Sequence, residues 1–76
     1  MRLGYLVDVS KKKPRTDSWL SDIGPREIVI CSDKKLVEMI QRRFTYTVWS
    51  AHWIDVDRYL ENHPDEEIEV LGFEEI

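Results

Sequence analysis

The chain has 76 residues, of which 42% are apolar and 34% charged, and its formal net charge is −4. This length allows one domain, and this composition excludes a disordered chain. The sequence has no run of about 18 apolar residues, which excludes a membrane-spanning helix, and its lone cysteine, Cys31, excludes an internal disulfide. We therefore predict a single cytoplasmic domain over residues 1–76, without cofactor or metal.

The first third of the chain predicts one strand and a long connection. Residues 2–9 alternate between apolar and polar side chains, which is typical of a half-buried strand. Residues 10–25 combine a basic cluster with two prolines and a few apolar side chains. This mixture predicts a connection that is packed against the body of the protein by its own apolar residues.

The middle of the chain predicts a central strand followed by the main helix. Residues 27–31 are a β-branched run that is apolar on both faces, as in a strand with neighbours on each side. Ser32 or Asp33 then caps a helix over about residues 33–44. The apolar residues of this helix recur at helical spacing and predict one buried stripe. The stripe consists of Leu36, Val37, Ile40 and Phe44.

The last third predicts a strand, a short helix and a strand. Residues 45–54 have high strand propensity. Strict alternation places Trp49, Ala51 and Trp53 on one face and Tyr46, Val48, His52 and Ile54 on the other. Asp55 caps a short helix over about residues 55–62, and residues 67–73 form a final strand whose glutamates face water. The pattern leaves open which face of the strand over residues 45–54 is buried.

Together these elements predict an α+β fold. Its sheet is a single mixed layer of about four strands, with the main helix and the short helix packed on one face. The helix between the second and third strands permits a right-handed crossover between parallel strands, and the first strand can pair antiparallel. The sequence does not determine the strand order.

The charge of this chain is divided between its two ends. Residues 1–49 hold ten of the eleven Lys and Arg and six acids, a formal +4, whereas residues 50–76 hold one base and nine acids, a formal −8. One-sided charge attracts charged partners. The division therefore indicates a binding function, provided that the two ends do not fold against each other.

The first hypothesis is a small protein-binding module, such as an inhibitor or accessory factor encoded by a phage or mobile element. The chain is too short to enclose a substrate pocket easily and carries no catalytic set, but it has three Trp and a strongly acidic end. Trp side chains commonly anchor protein interfaces, and acids steer association. The predicted binding residues are Trp49, Trp53, Glu66, Glu67, Glu69, Glu74 and Glu75. The alternative for each glutamate is an ordinary solvated surface.

The second hypothesis is nucleic-acid binding through basic side chains, with strand aromatics stacking on bases. The basic loop over residues 11–15 and the helix over residues 33–43 supply these side chains. They are Lys11, Lys12, Lys13, Arg15, Lys34, Lys35, Arg42 and Arg43. The net negative charge favours the simpler interpretation, in which the basic loop is only solvated.

A third hypothesis is a small enzyme, either a nuclease that uses Asp8 or a thiol enzyme that pairs Cys31 with His52. No phosphate-binding glycine loop is present, because the three glycines are widely separated. His52, Asp55, Asp57 and His63 carry metal-ligand chemistry but match no defensible motif. We therefore predict no catalytic and no metal-binding residues. Homodimerisation of the basic half of one chain with the acidic half of another is a further alternative.

Overall fold

The computed structural model describes residues 1–12 and 23–76. Its elements are β1 (Arg2–Lys12), β2 (Ile23–Cys31), α1 (Asp33–Gln41), β3 (Tyr46–Asp55), α2 (Val56–Asn62), β4 (Ile68–Val70) and β5 (Glu74–Glu75). One sheet and two helices make a small α+β domain, which confirms the predicted fold class.

The sheet is mixed, and β1 lies inside it. The strand order is β3-β1-β2-β4, and β5 pairs with the first residues of β1. The neighbours β2, β3 and β5 all run antiparallel to β1, whereas β4 runs parallel to β2. β3 and β4 are therefore the opposite edges of this sheet within the described part of the chain.

The predicted connection over residues 10–25 is shorter at both ends than the sequence pattern indicates. β1 continues to Lys12, and β2 begins at Ile23. Pro25 lies inside β2, next to a register shift between Ser10 and Lys12 of β1. Because β4 pairs with β2 only from Ile28 onward, Pro25 does not interrupt a described ladder on that side. The rest of the predicted connection lies outside the described residues.

The main helix begins where the sequence predicts and ends earlier. Ser32 is its N-cap, and its Oγ accepts a hydrogen bond from the backbone N–H of Lys35 at 3.4 Å. α1 ends at Gln41, three residues before the predicted end. The chain turns there because the carbonyl of Arg42 accepts the backbone N–H groups of Thr45 and Tyr46, at 2.9 and 3.0 Å.

The two faces of the sheet carry different helices. We call the α1 face the side on which Val7, Val9, Val29 and Cys31 of the sheet pack with Leu36 and Met39 of α1. The α2 face is the opposite side. There, a Cβ on Gly4 would lie 3.3 Å from Val56 and 3.4 Å from Ile30. Both residues are fully buried, so α2 begins against the face opposite to α1.

The direction of the two crossovers explains why the helices take opposite faces. The β2–α1–β3 connection crosses β1 in one direction, and the β3–α2–β4 connection returns across β1 and β2. Parallel crossovers strongly prefer one hand, and two crossovers of the same hand that travel in opposite directions place their helices on opposite faces. The prediction placed both helices on one face because it lacked the strand order.

A β-bulge at Trp49 changes which side chains of β3 lie on each face of the sheet. Asp8 pairs with Ser50 but Val9 pairs with Val48, so Trp49 is the extra residue. Strict alternation is therefore wrong for this strand. Tyr46, Val48, Ala51 and Trp53 share the α1 face with their partners on β1, whereas Trp49 lies on the α2 face.

Candidate functional site

The outer edge of β3 is long and uncharged. β3 spans ten residues and pairs, within the described chain, only with β1. Residues 44–54 contain no Asp, Glu, Lys or Arg. Natural edge strands are usually protected by charges, prolines or bulges, and this edge has only the bulge at Trp49, so its regular part favours pairing with another chain.

Exposed apolar side chains of α1 lie beside this edge. Val37, Ile40 and Phe44 are 45%, 55% and 82% exposed; helical spacing places Val37 and Ile40 on one flank of α1, and Phe44 lies in the turn that follows the helix. Ile40 and Arg43 line a cleft of about 510 Å³ together with residues 46–48 of β3. We call this combination of the β3 edge with Val37, Ile40, Phe44 and Trp53 the β3 surface.

The opposite flank of α1 is charged and internally paired. Glu38 Oε1 lies 3.4 Å from Lys35 Nζ and 3.7 Å from Arg42 Nε. These pairs are partly exposed and contribute little to stability. They show, however, that the polar and apolar flanks of α1 are segregated, with the apolar flank directed toward β3.

The two predicted tryptophan anchors have different surroundings. Trp53 packs edge-on against Tyr5 on the α1 face, with ring centroids 4.8 Å apart. Trp49 donates its indole N–H to Ser10 Oγ at 3.0 Å, and Arg26 stacks 4.6 Å above its ring. Both tryptophans are 46% exposed. The prediction that they share one face of the strand is wrong, because the bulge at Trp49 separates them onto opposite faces.

The difference between the tryptophans gives a direct test. Trp49→Phe removes the indole hydrogen bond to the buried Ser10 hydroxyl, and we expect it to lower the free energy of unfolding by about 1–2 kcal/mol. Trp53→Phe keeps an aromatic ring against Tyr5 and should lower the free energy of unfolding by less than about 0.5 kcal/mol. Urea unfolding followed by circular dichroism measures both values. Equal losses in the two variants would contradict the assigned role of Trp49.

The predicted acidic residues divide into two groups. Glu66, Glu67 and Glu69 line a groove of about 740 Å³ along β2 and β4, together with Arg26 and Glu27. Glu74 and Glu75 form β5 beside the first residues of β1. The groove lies at the β4 edge, three strand spacings or roughly 14 Å from β3. The structure therefore does not bring the acidic groove and Trp53 onto one edge.

The predicted basic residues also lie in different parts of the molecule. Lys34 and Lys35 lie in the first turn of α1, whereas Arg42 and Arg43 follow its last turn. Lys11 pairs with Tyr46 and so shares an end of the sheet with Arg43. Lys12 is the last residue of β1, and Lys13 and Arg15 lie outside the described residues. No ion pair joins Lys11 to the acidic residues 66–75 within the described chain.

The structure does not bring the candidate enzyme residues Cys31 and His52 together. Burial raises the pKa of the Cys31 thiol, which outweighs the opposite effect of nearby Lys35, and a raised pKa disfavours the nucleophilic thiolate. His52 lies two strands away on the α2 face, so it does not form a pair with Cys31. Asp8 contacts Arg26, with 3.4 Å between Oδ2 and Nε.

The residues with metal-ligand chemistry have structural roles instead. Asp55 caps α2 by accepting the backbone N–H of Arg58 at 3.2 Å. Asp57 lies 3.7 Å from Arg2, and His63 stacks on Tyr59 with centroids 4.1 Å apart. Across residues 1–12 and 23–76, no group of three or more His, Cys, Asp or Glu is placed to hold a metal ion.

The sequence interpretation missed the exposed flank of α1. Val37, Ile40 and Phe44 were assigned to one buried stripe with Leu36, but Leu36 and Met39 are the buried residues of the helix. The sequence did hold a signal for this exposed flank, which is the angular width of the apolar stripe around the helix. Leu36 and Val37 are about 100° apart on a helix, so a helix on one small sheet buries one of them more readily than both.

No family model, curated protein or solved structure matches this chain. Among the helices of the described residues, none has the length and apolar character needed to cross a bilayer. The functional argument therefore rests on the geometry of the β3 surface.

Proposed function

We propose that this protein is a protein-binding module that acts by stoichiometric association through the β3 surface. The observation that carries this proposal is the edge of β3, which holds no charge before Asp55 and pairs only with β1 among residues 1–12 and 23–76, beside the exposed apolar side chains of Val37 and Ile40 in α1 and of Phe44 in the turn that follows. A free strand edge offers backbone hydrogen bonds to an extended partner segment, and adjacent pockets supply specificity. Exposed contiguous apolar surface on a small protein is typical of binding sites.

Trp53 is the proposed anchor of this surface. Its contact with Tyr5 holds the ring in place while nearly half of the side chain remains exposed. A rigid aromatic side chain loses little conformational entropy on binding, which suits an interface hot spot. The neighbouring cleft between Ile40 and Val48 can receive an apolar side chain of the partner.

The acidic groove lies outside the proposed contact. Glu66, Glu67 and Glu69 line the opposite edge of the sheet. An inhibitor or accessory factor that occupies a partner's surface would therefore use the β3 surface and not the acidic groove.

Nucleic-acid binding is the second candidate, and one observation favours it. Arg43 stacks 5.3 Å above the exposed ring of Phe44, at the end of the sheet that also holds Lys11. Arginine and aromatic side chains together can stack on unpaired bases. A titration with single-stranded DNA and RNA at low salt tests this candidate, and it fails if no binding is measurable.

An affinity-capture experiment tests the main proposal. The immobilised wild-type chain is compared with Ile40→Ser, and with the matched control Leu71→Ser, which alters an exposed apolar residue outside the β3 surface. We expect proteins captured by the wild type to be retained by Leu71→Ser and reduced at least about tenfold by Ile40→Ser, as about 1.4 kcal/mol of lost affinity implies.

Two results would contradict the proposal. Equal capture by Ile40→Ser and the wild type would exclude the apolar flank of α1 from the binding surface. Loss of capture in Glu66→Gln or Glu69→Gln, with Ile40→Ser unaffected, would assign binding to the acidic groove instead. Circular dichroism of each variant confirms that the compared chains are folded.

A further inference from the structure

We propose that the partner of the β3 surface is a second copy of this chain, bound by antiparallel pairing of β3 with β3. This inference rests on the proposed function, because it names the occupant of the same surface. The result would be a closed two-fold dimer whose sheet continues from one copy into the other.

The distribution of charge favours self-pairing at this edge. Each copy carries a formal −4, so two copies repel one another over much of their surface. Residues 44–54 hold no formal charge, so antiparallel pairing within this segment places no like charges opposite one another.

The symmetry of such a pair brings the apolar flanks to one side. Two strands that pair antiparallel across an edge are related by an axis perpendicular to the sheet, and this operation keeps the same face of both sheets on the same side. The α1 face of one copy therefore continues into the α1 face of the other. Ile40 and Trp53 are both exposed on that face in the single chain. In the dimer they become part of one continuous apolar surface that includes the same residues of the other copy.

The available surface suits a small, reversible contact. A strand of ten residues is about 33 Å long, and the nine residues of α1 span about 14 Å, each element presenting a side about 10 Å deep. Edge and helix together present an area on the order of 500 Å² per copy, below the roughly 800 Å² that a standard specific interface uses per partner. The bulge at Trp49 leaves residues 50–55 in regular register with β1, which gives a straight stretch for pairing.

The test is the solution mass of two variants that change the charge equally on opposite edges. His52→Lys adds one positive charge at the exposed surface of β3, and Glu69→Gln removes one negative charge at the exposed surface of β4. Both raise the formal net charge by one. Sedimentation equilibrium over a range of concentrations gives the dimer dissociation constant of each chain.

We expect the wild type and Glu69→Gln to reach twice the chain mass of 9.1 kDa with dissociation constants within about twofold of each other. His52→Lys should weaken the dimer at least about tenfold, because the paired edges then hold two added lysines close to each other. Circular dichroism confirms that each variant remains folded.

Three results would overturn the inference. They are a wild type that stays at 9.1 kDa at every concentration, a His52→Lys variant that dimerises like the wild type, and a dimer that dissociates completely in high salt. The last result would indicate pairing of basic and acidic halves. A monomeric wild type that still loses captured protein through Ile40→Ser would overturn the dimer alone and leave the proposed function intact.

Discussion

Replacing Ile30 by alanine is expected to lower the free energy of unfolding by about 2–5 kcal/mol. Ile30 is fully buried at the centre of β2, and its side chain approaches Gly4 on the α2 face. The substitution removes apolar contacts and leaves a cavity between the sheet and the start of α2. A domain of this size has a small stability margin, so the loss is a large fraction of the total.

The matched control for this change is Ile76→Ala. Ile76 is 78% exposed, so its truncation should cost less than about 0.5 kcal/mol. Urea unfolding monitored by circular dichroism compares the two variants with the wild type. Equal stabilities of Ile30→Ala and Ile76→Ala would contradict the close packing of α2 against this face.

Replacing Gly4 by valine is the second change with a large expected effect. It should lower the free energy of unfolding by about 1–3 kcal/mol because of overpacking. A Cβ at this position already lies 3.2 Å from the Cys31 carbonyl oxygen and 3.3 Å from Val56. The backbone carbonyl cannot turn away as a flexible side chain would, so the two methyl groups of valine must displace β2 or α2. Valine's high strand propensity does not compensate for this displacement.

The matched control for the glycine change is Gly72→Ala. The nearest atoms to a Cβ at Gly72 lie 3.7 Å away, which is ordinary van der Waals contact, and its φ is not positive. Alanine there should be neutral or stabilise the protein by up to about 1 kcal/mol, because it restricts the unfolded chain. A Gly4→Val variant as stable as Gly72→Ala would show that Gly4 is not crowded.

The kinds of element in this fold were predictable because local periodicity specifies them. The run over residues 27–31 predicts a central strand, and β2 does lie between β1 and β4. Ser32 or Asp33 predicts the beginning of the main helix and Asp55 that of the short helix, and the observed caps are Ser32 and Asp55. These signals depend on neighbours in sequence, which a single chain displays directly.

The arrangement of the elements was less predictable because it depends on distant residues. The bulge at Trp49 arises from how β3 meets β1, and strict alternation therefore assigned Trp49 and Trp53 to the same face. The opposite faces of α1 and α2 follow from the strand order, which no local pattern reports. For the candidate site, the sequence named Trp53 as a candidate anchor but left open whether it is buried, and the exposure of Val37, Ile40 and Phe44 depended on the packing of α1.

The interior position of β1 also constrains how the chain reaches its native state. β1 is first in chain order, yet Leu3 pairs with both Asp55 and Glu74. Most of the ladder contacts thus join segments far apart in sequence, which slows folding relative to a helical bundle of equal length. During synthesis, β1 and β2 can form a hairpin early, but completion of the sheet must wait until Glu74 and Glu75 of β5 have been synthesised.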